Sequence, residues 1–168
     1  MMLRFSVSTL LAGGFVVAGW HSIGPDQPVF AIVVQFLLMA WAAFVVTDRF
    51  PVLDADWFRV SERETSLYRR AGVGFFGRLL GVVGWNRVIA QERDYQVTRE
   101  GMRHLEQHTR RSEVAHLLCA AVGFALAGAA LVAGTPTGAG WLLLSTTIFQ
   151  LYPALLQRLV RARLQRVV

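Results

Sequence analysis

Apolar and polar residues alternate along the chain in long blocks. Phe5 to Trp20 is apolar apart from Ser and Thr, and Val29 to Thr47 is apolar except for Gln35. Val114 to Gly134 is rich in Ala and Gly, and Trp141 to Leu156 is apolar up to the interruption at Tyr152-Pro153. A helix crosses a hydrocarbon core of about 30 Å with roughly 20 apolar residues, so these blocks read as membrane spans. The connector His21 to Pro28 holds two prolines and a glycine, and Thr135 to Gly140 is short and uncharged; both read as turns. Residues 48–113 are different, being charged and aromatic with no stretch long and uncharged enough to span. Asp56-Trp57-Phe58-Arg59 through Tyr68-Arg69-Arg70 mixes aromatics and charges at roughly helical spacing, as in an interfacial helix. Gly74 to Trp85 is apolar but broken by glycines and too short to span, so it reads as a re-entrant or interface-lying piece. Gln91 to Arg111 is polar and predicts a helix leading into the third span.

The fold class that follows is an all-α membrane protein of about four transmembrane helices. The spans are about 5–20, 29–47, 114–134 and 141–156, with a helical cytosolic or interfacial insert over 48–113, and the whole of 1–168 forms one integral membrane domain. An Arg-led apolar start also resembles a signal peptide, but no small-x-small cleavage site follows at Trp20-His21, so the first span is expected to be retained.

Composition agrees: 54% of residues are hydrophobic and mean hydropathy is +0.44, values of a membrane protein. The net charge of +6 would also suit nucleic-acid binding, and the distribution of Arg decides between the two. All 17 basic side chains are Arg, and the connectors 19–28 and 135–140 contain none. Arg4, the central insert and the tail hold them all, which puts both termini and the insert in the cytoplasm of a multi-pass cell-membrane protein. No zinc finger or RNA-binding aromatic motif accompanies them, and nucleic acid is not expected as a partner. Cys119, the one cysteine, excludes an intrachain disulfide.

Chemistry concentrates where the insert meets the third span. Continued as a helix, Glu106, Thr109, Glu113 and His116 share one face. A carboxylate and an imidazole one turn apart can orient each other, so His116 could take a proton from an attacking hydroxyl with Glu113 or Glu106 holding the ring. Arg111, Arg158 or Arg161 are candidates to meet a developing oxyanion, and Arg161 shares a helix face with both Gln157 and Arg158, pairs able to clamp a phosphate or carboxylate. The plain alternatives are a solvated first turn with a histidine at the headgroups, and a basic juxtamembrane tail held by anionic lipids. Metal is not expected: Glu113-x-x-His116 lacks the second such motif of a di-iron bundle, and His104 and His108 lie roughly on the opposite face from His116. No nucleophile elbow, Walker loop or dinucleotide fingerprint is present, and no cofactor is implied.

Thr109-x-Arg111-Ser112-Glu113-x-x-His116 is followed by Tyr152-Pro153-x-x-x-Gln157-Arg158-x-x-Arg161-x-Arg163-Leu164. The pair of blocks resembles the glycosyl-4,4'-diaponeurosporenoate acyltransferases, small membrane enzymes of staphyloxanthin-type carotenoid synthesis. Trp57 to Arg87 is similar to that family's central segment more loosely, so the resemblance covers roughly residues 50–165. It implies transfer of a fatty acyl group, from a donor such as acyl-CoA, to a sugar hydroxyl of a membrane glycolipid at the cytoplasmic face. By position it implies roles for Arg111, Glu113 and His116 from the first block and for Gln157, Arg158, Arg161 and Arg163 from the second. Leu159 and Val160 stand where the family has Tyr and Asn, and Gln150 stands where an Asn commonly precedes Tyr-Pro.

The expectation is therefore a membrane acyltransferase acting on a glycolipid or glycosylated isoprenoid, with His116 as base and Glu113 as its orienting partner. Arg111, Gln157, Arg158, Arg161 and Arg163 would bind substrate. Membrane lipids are the surrounding partners, and a membrane protein or a second copy of the chain fits the small-residue spans. The alternative is a non-catalytic four-span subunit whose charged insert docks a partner.

Overall fold

The computed structural model describes residues 2–45, 56–84 and 99–166, and all regular structure among them is helical. In chain order the elements are α1 (Met2–Ser22), α2 (Pro28–Val45), a 3-10 turn (Asp56–Phe58), α3 (Glu62–Arg70) and α4 (Val73–Val82). There follow α5 (Arg99–Val132), α6 (Pro136–Thr146), a π turn (Thr147–Leu151) and α7 (Tyr152–Leu164). The expected Gly74–Trp85 piece falls on α4 as far as Val82 and then on a turn at 83–84; Trp85 lies outside the described residues, as does most of the first half of the expected 91–111 helix. The chain divides into two compact units, one of residues 1–50 and 114–151, the other of residues 51–113 and 152–168.

The first unit contains α1, α2, α6, the π turn and the part of α5 from Val114 onward. Its core is built from Phe30, Ala31, Val34 and Leu38 of α2, Cys119, Ala127 and Ala130 of α5, and Ala139 and Leu142 of α6. Small side chains let the backbones approach closely, the usual device of helix packing in lipid. Gly123 shows how closely: a Cβ built there would stand 2.3 Å from Oγ1 of Thr146. Gly123→Ala is therefore expected to force α5 and α6 apart and cost about 1–3 kcal/mol, read as a lower melting temperature in detergent. An unchanged melting temperature would contradict this packing. The α2 N-terminus packs on α1 through an edge-to-face Trp20–Phe30 pair with centroids 5.8 Å apart. At the head of α6, Pro136 takes a first-turn position where a missing N–H costs nothing, so the helix starts inside the expected turn 135–140.

Leu10, Leu11, Phe15, Phe36, Phe44, Leu131 and Leu144 remain exposed in this unit. Residues 100–132 and 136–164 form helical stretches long and apolar enough to cross a membrane. The second of these carries the π turn immediately before Pro153. Proline has no N–H to donate four residues back and its ring crowds that carbonyl, and a widened turn absorbs both effects.

The second unit holds the insert and the tail. The helix α3 begins at a capping box: Ser61 Oγ accepts from the Glu64 amide at 3.2 Å, and Glu64 Oε2 accepts from the Ser61 amide at 2.8 Å. Glu62 and Glu64 in its first turn and Arg69 and Arg70 in its last suit the helix dipole. Gly72, at a φ of 79° that disfavours any side chain, turns the chain straight into α4. α4 lies against α7 through the Phe76–Tyr152 rings, 5.3 Å apart, and through Gly77, where a Cβ would sit 3.0 Å from Leu156. Tyr152 Oη donates to the Ala71 carbonyl at 2.9 Å, tying the start of α7 to the α3–α4 turn.

Candidate functional site

Buried polar groups that carry no structural ladder concentrate in two clusters, one in each unit. In the first unit they form a chain of side-chain hydrogen bonds. Gln35 Nε2 donates to Oγ of Ser145 at 3.2 Å and to Oγ1 of Thr146 at 3.0 Å. Ser145 spends its own proton on the Leu142 carbonyl at 3.2 Å, so its oxygen is free to accept. Gln150 Nε2 donates to Gln35 Oε1 at 3.0 Å, and Gln150 Oε1 stands 2.9 Å from His116 Nδ1. Gln35, Gln150 and Thr146 are fully buried, and each donor hands its direction to the next.

In the tautomer that pairs with the Gln150 oxygen, Nδ1 of His116 carries the proton and the lone pair of the neutral ring is on Nε2. Nε2 has no hydrogen bond among the described residues and is not sealed away. An imidazole held by a second group at Nδ1, with Nε2 open, has the arrangement of a general base.

In the second unit the cluster is ionic and centred on Glu113, which is fully buried. Arg158 Nη1 donates to Glu113 Oε1 at 2.7 Å, and its Nη2 donates to Glu64 Oε1 at 2.8 Å. Arg161 donates from Nη2 to Glu113 Oε2 and from Nε to the Phe58 carbonyl at 2.7 Å. The ring of Phe58 has Arg161 5.3 Å from its centroid and Arg110 at 5.4 Å, while Arg158 lies 5.2 Å from the Trp57 ring centroid. Two carboxylates and two guanidiniums balance, which is what allows such charges to be buried together. Hydrogen bonding from the Ser61 amide, with help from Arg158, holds the Glu64 carboxyl below its ordinary range. Burial pushes the Tyr68 phenol up; its Oη donates to Glu64 Oε1 at 3.1 Å.

The residues singled out from the sequence thus divide. Glu113, Arg158 and Arg161 come together as a buried ion cluster, with each Glu113 oxygen taken by an arginine. His116 is held by Gln150, a residue the spacing Glu113-x-x-His116 does not point to. Arg111 and Gln157 are partly buried, and Arg163 is exposed at a cleft it shares with Arg69 and Arg78. Thr109 Oγ1 donates to the Glu106 carbonyl at 2.7 Å, and Glu106 itself pairs with Arg110 at 2.8 Å. Gln35, Gln150 and Glu64 are the polar residues that sequence reasoning gave no role. Each left a signal: Gln35 is the lone polar residue in its apolar block, Gln150 directly precedes Leu151-Tyr152-Pro153, and Ser61-x-x-Glu64 is a capping-box pattern.

Among the described residues the regular structure is all helical, and two helical stretches are long and apolar enough to cross a bilayer. The chain belongs to the glycosyl-4,4'-diaponeurosporenoate acyltransferase family, whose model matches residues 54–168. That range takes in α3 to α7, and with them His116, Gln150 and the whole Glu113 cluster. No curated protein and no solved structure shows a significant match.

Proposed function

We propose that this chain transfers a fatty acyl group to a hydroxyl of a glycolipid or glycosylated isoprenoid, with His116 as the general base. The observation that carries the reading is the polarised chain Gln35–Gln150–His116, which leaves the lone pair of Nε2 open. Family membership supports the reaction class.

In the proposed step Nε2 of His116 takes the proton of the acceptor hydroxyl as its oxygen attacks the carbonyl carbon of an activated acyl donor. The new ester C–O bond forms, the bond to the donor's leaving group breaks, and the proton on Nε2 passes to that leaving group. As Nε2 takes up positive charge, the Gln150 oxygen facing Nδ1–H stabilises the imidazolium. Glu113 fixes Arg158 and Arg161. Arg111, Gln157 and Arg163 are proposed to meet the substrate's polar groups.

The reading includes four membrane spans, both termini and the charged insert on the cytoplasmic side, and a substrate drawn from the bilayer. It is supported by the Arg-free connectors 19–28 and 135–140 and by the apolar surface of the first unit. The test is to express the full chain in a bacterium that makes a glycosylated carotenoid and to analyse the lipids by mass spectrometry. The expected result is a new species heavier by one esterified fatty acid. If the protein inserts and no acylated lipid of any acceptor class appears, acyl transfer is excluded and the non-catalytic subunit reading takes its place.

A further inference from the structure

The arginines of the second unit are not all committed to carboxylates. Arg158 and Arg161 hold Glu113, Arg110 pairs with Glu106, and Arg166 and Arg59 lie 3.5 and 3.6 Å from Glu62 and Asp56. The guanidinium groups of Arg69, Arg78 and Arg163 have no ion pair or hydrogen bond among the described residues, and all three residues line one cleft of about 400 Å³. Three different helices bring them there: α3, α4 and α7. Three guanidiniums facing one space repel one another, so their convergence costs stability unless an anion occupies it.

The rest of the lining suits the same occupant. Gly72 and Gly74 stand at the head of α4, whose N-terminus has no side-chain cap. Neither glycine has any atom within 4 Å of where a Cβ would be, which leaves room for an anion at the positive end of the helix dipole; the Phe75 and Phe76 amides themselves donate to the Gly72 carbonyl. Phe75 and Leu159 supply apolar wall, which strengthens a charge–charge contact compared with open water, and Arg78 lies 6.0 Å from the Phe75 ring centroid.

We propose that this cleft binds a phosphate group carrying about two negative charges, a phosphomonoester or a diphosphate. A phosphodiester of single charge would leave most of the three-arginine field uncompensated. Two sources carry the required chemistry: a soluble polyphosphate handle, such as that of an activated acyl carrier, and the monoester headgroup of an acidic lipid. The proposal concerns binding alone, so it stands or falls separately from acyl transfer.

The experiment uses the full chain in nanodiscs of phosphatidylcholine, titrated with inorganic pyrophosphate by calorimetry. A parallel set of discs contains added phosphatidic acid. Wild type is expected to bind pyrophosphate, with affinity falling as salt rises. Arg69→Gln, Arg78→Gln and Arg163→Gln are each expected to weaken binding at least tenfold. Arg103→Gln, an exposed arginine of the same unit outside the cleft, should leave it unchanged. Competition by phosphatidic acid in wild-type discs identifies the lipid headgroup as a source; undiminished pyrophosphate binding there identifies a soluble one. Absence of pyrophosphate binding in wild type, or equal weakening by Arg103→Gln and the cleft variants, overturns the proposal. Since the three arginines are exposed, an unchanged helical circular dichroism spectrum accompanies a valid result.

Discussion

Glu113→Ala is expected to destabilise the protein by about 3–5 kcal/mol, the cost of breaking a buried ion pair from one side. The carboxylate is fully buried and takes one bond from Arg158 and one from Arg161. Without it Arg158 retains Glu64, but Arg161, which has no solvent exposure, retains the Phe58 carbonyl and ring and no carboxylate. Nη1 of Arg161 is already buried without a partner, so no spare acceptor waits to take over. A loss of this size is a large share of the roughly 5–15 kcal/mol that holds a typical domain folded. Chemical denaturation in mild detergent measures it. The double variant Glu113→Leu with Arg161→Met should recover much of the loss, because removing both charges is far less costly than stranding one. A Glu113→Ala protein within about 1 kcal/mol of wild type would show that the carboxylate does not anchor the tail.

That cluster marks how far the sequence could be read. The spacing of Glu106, Thr109, Glu113 and His116 correctly places them along one helix, since α5 runs unbroken from Arg99 to Val132. Spacing says which side chains share a face but not what that face meets. Glu113 meets two arginines 45 and 48 residues further on, and His116 meets Gln150, 34 residues on. Those partners depend on the register of α7 and of the π turn before it, which no local pattern specifies. The two blocks point to Glu113 as the partner that orients His116 and to Arg158 and Arg161 as substrate clamps, and the geometry displays the three as a charge-balanced cluster.

The helices themselves were more legible. The apolar block 5–20 falls on α1, residues 29–45 of the second block on α2, and residues 114–132 of the third on the second part of α5, since length and hydropathy are properties of the segment alone. The break expected at Tyr152-Pro153 appears as a π turn just ahead of it, as the missing proline amide requires. Harder to foresee was the chain of glutamines. A lone Gln35 among apolar residues announces that a polar partner exists somewhere, because an amide in an apolar environment without a hydrogen bond is costly. It gives no hint that the partners are Ser145, Thr146 and Gln150.

The second large effect concerns His116. His116→Ala removes the lone pair on Nε2 and with it the proposed general base, for which the expected effect is about 10²–10⁴-fold in rate. The structural penalty is expected to be small, about 1–3 kcal/mol, because one hydrogen bond is lost and Gln150 Oε1 is left facing the vacated space. Insertion and helix content should therefore survive the substitution. Glu113→Ala offers the contrast, since there stability is expected to fall and any loss of activity should track the loss of folded protein.

The most direct measurement is the rate of acyl-ester formation on a glycosylated isoprenoid by membranes containing equal amounts of inserted wild-type and His116→Ala protein, followed by mass spectrometry. The prediction is a steady ester product from wild type and at least a hundredfold less from the variant. Equal product from both would contradict the assignment of His116 as the base.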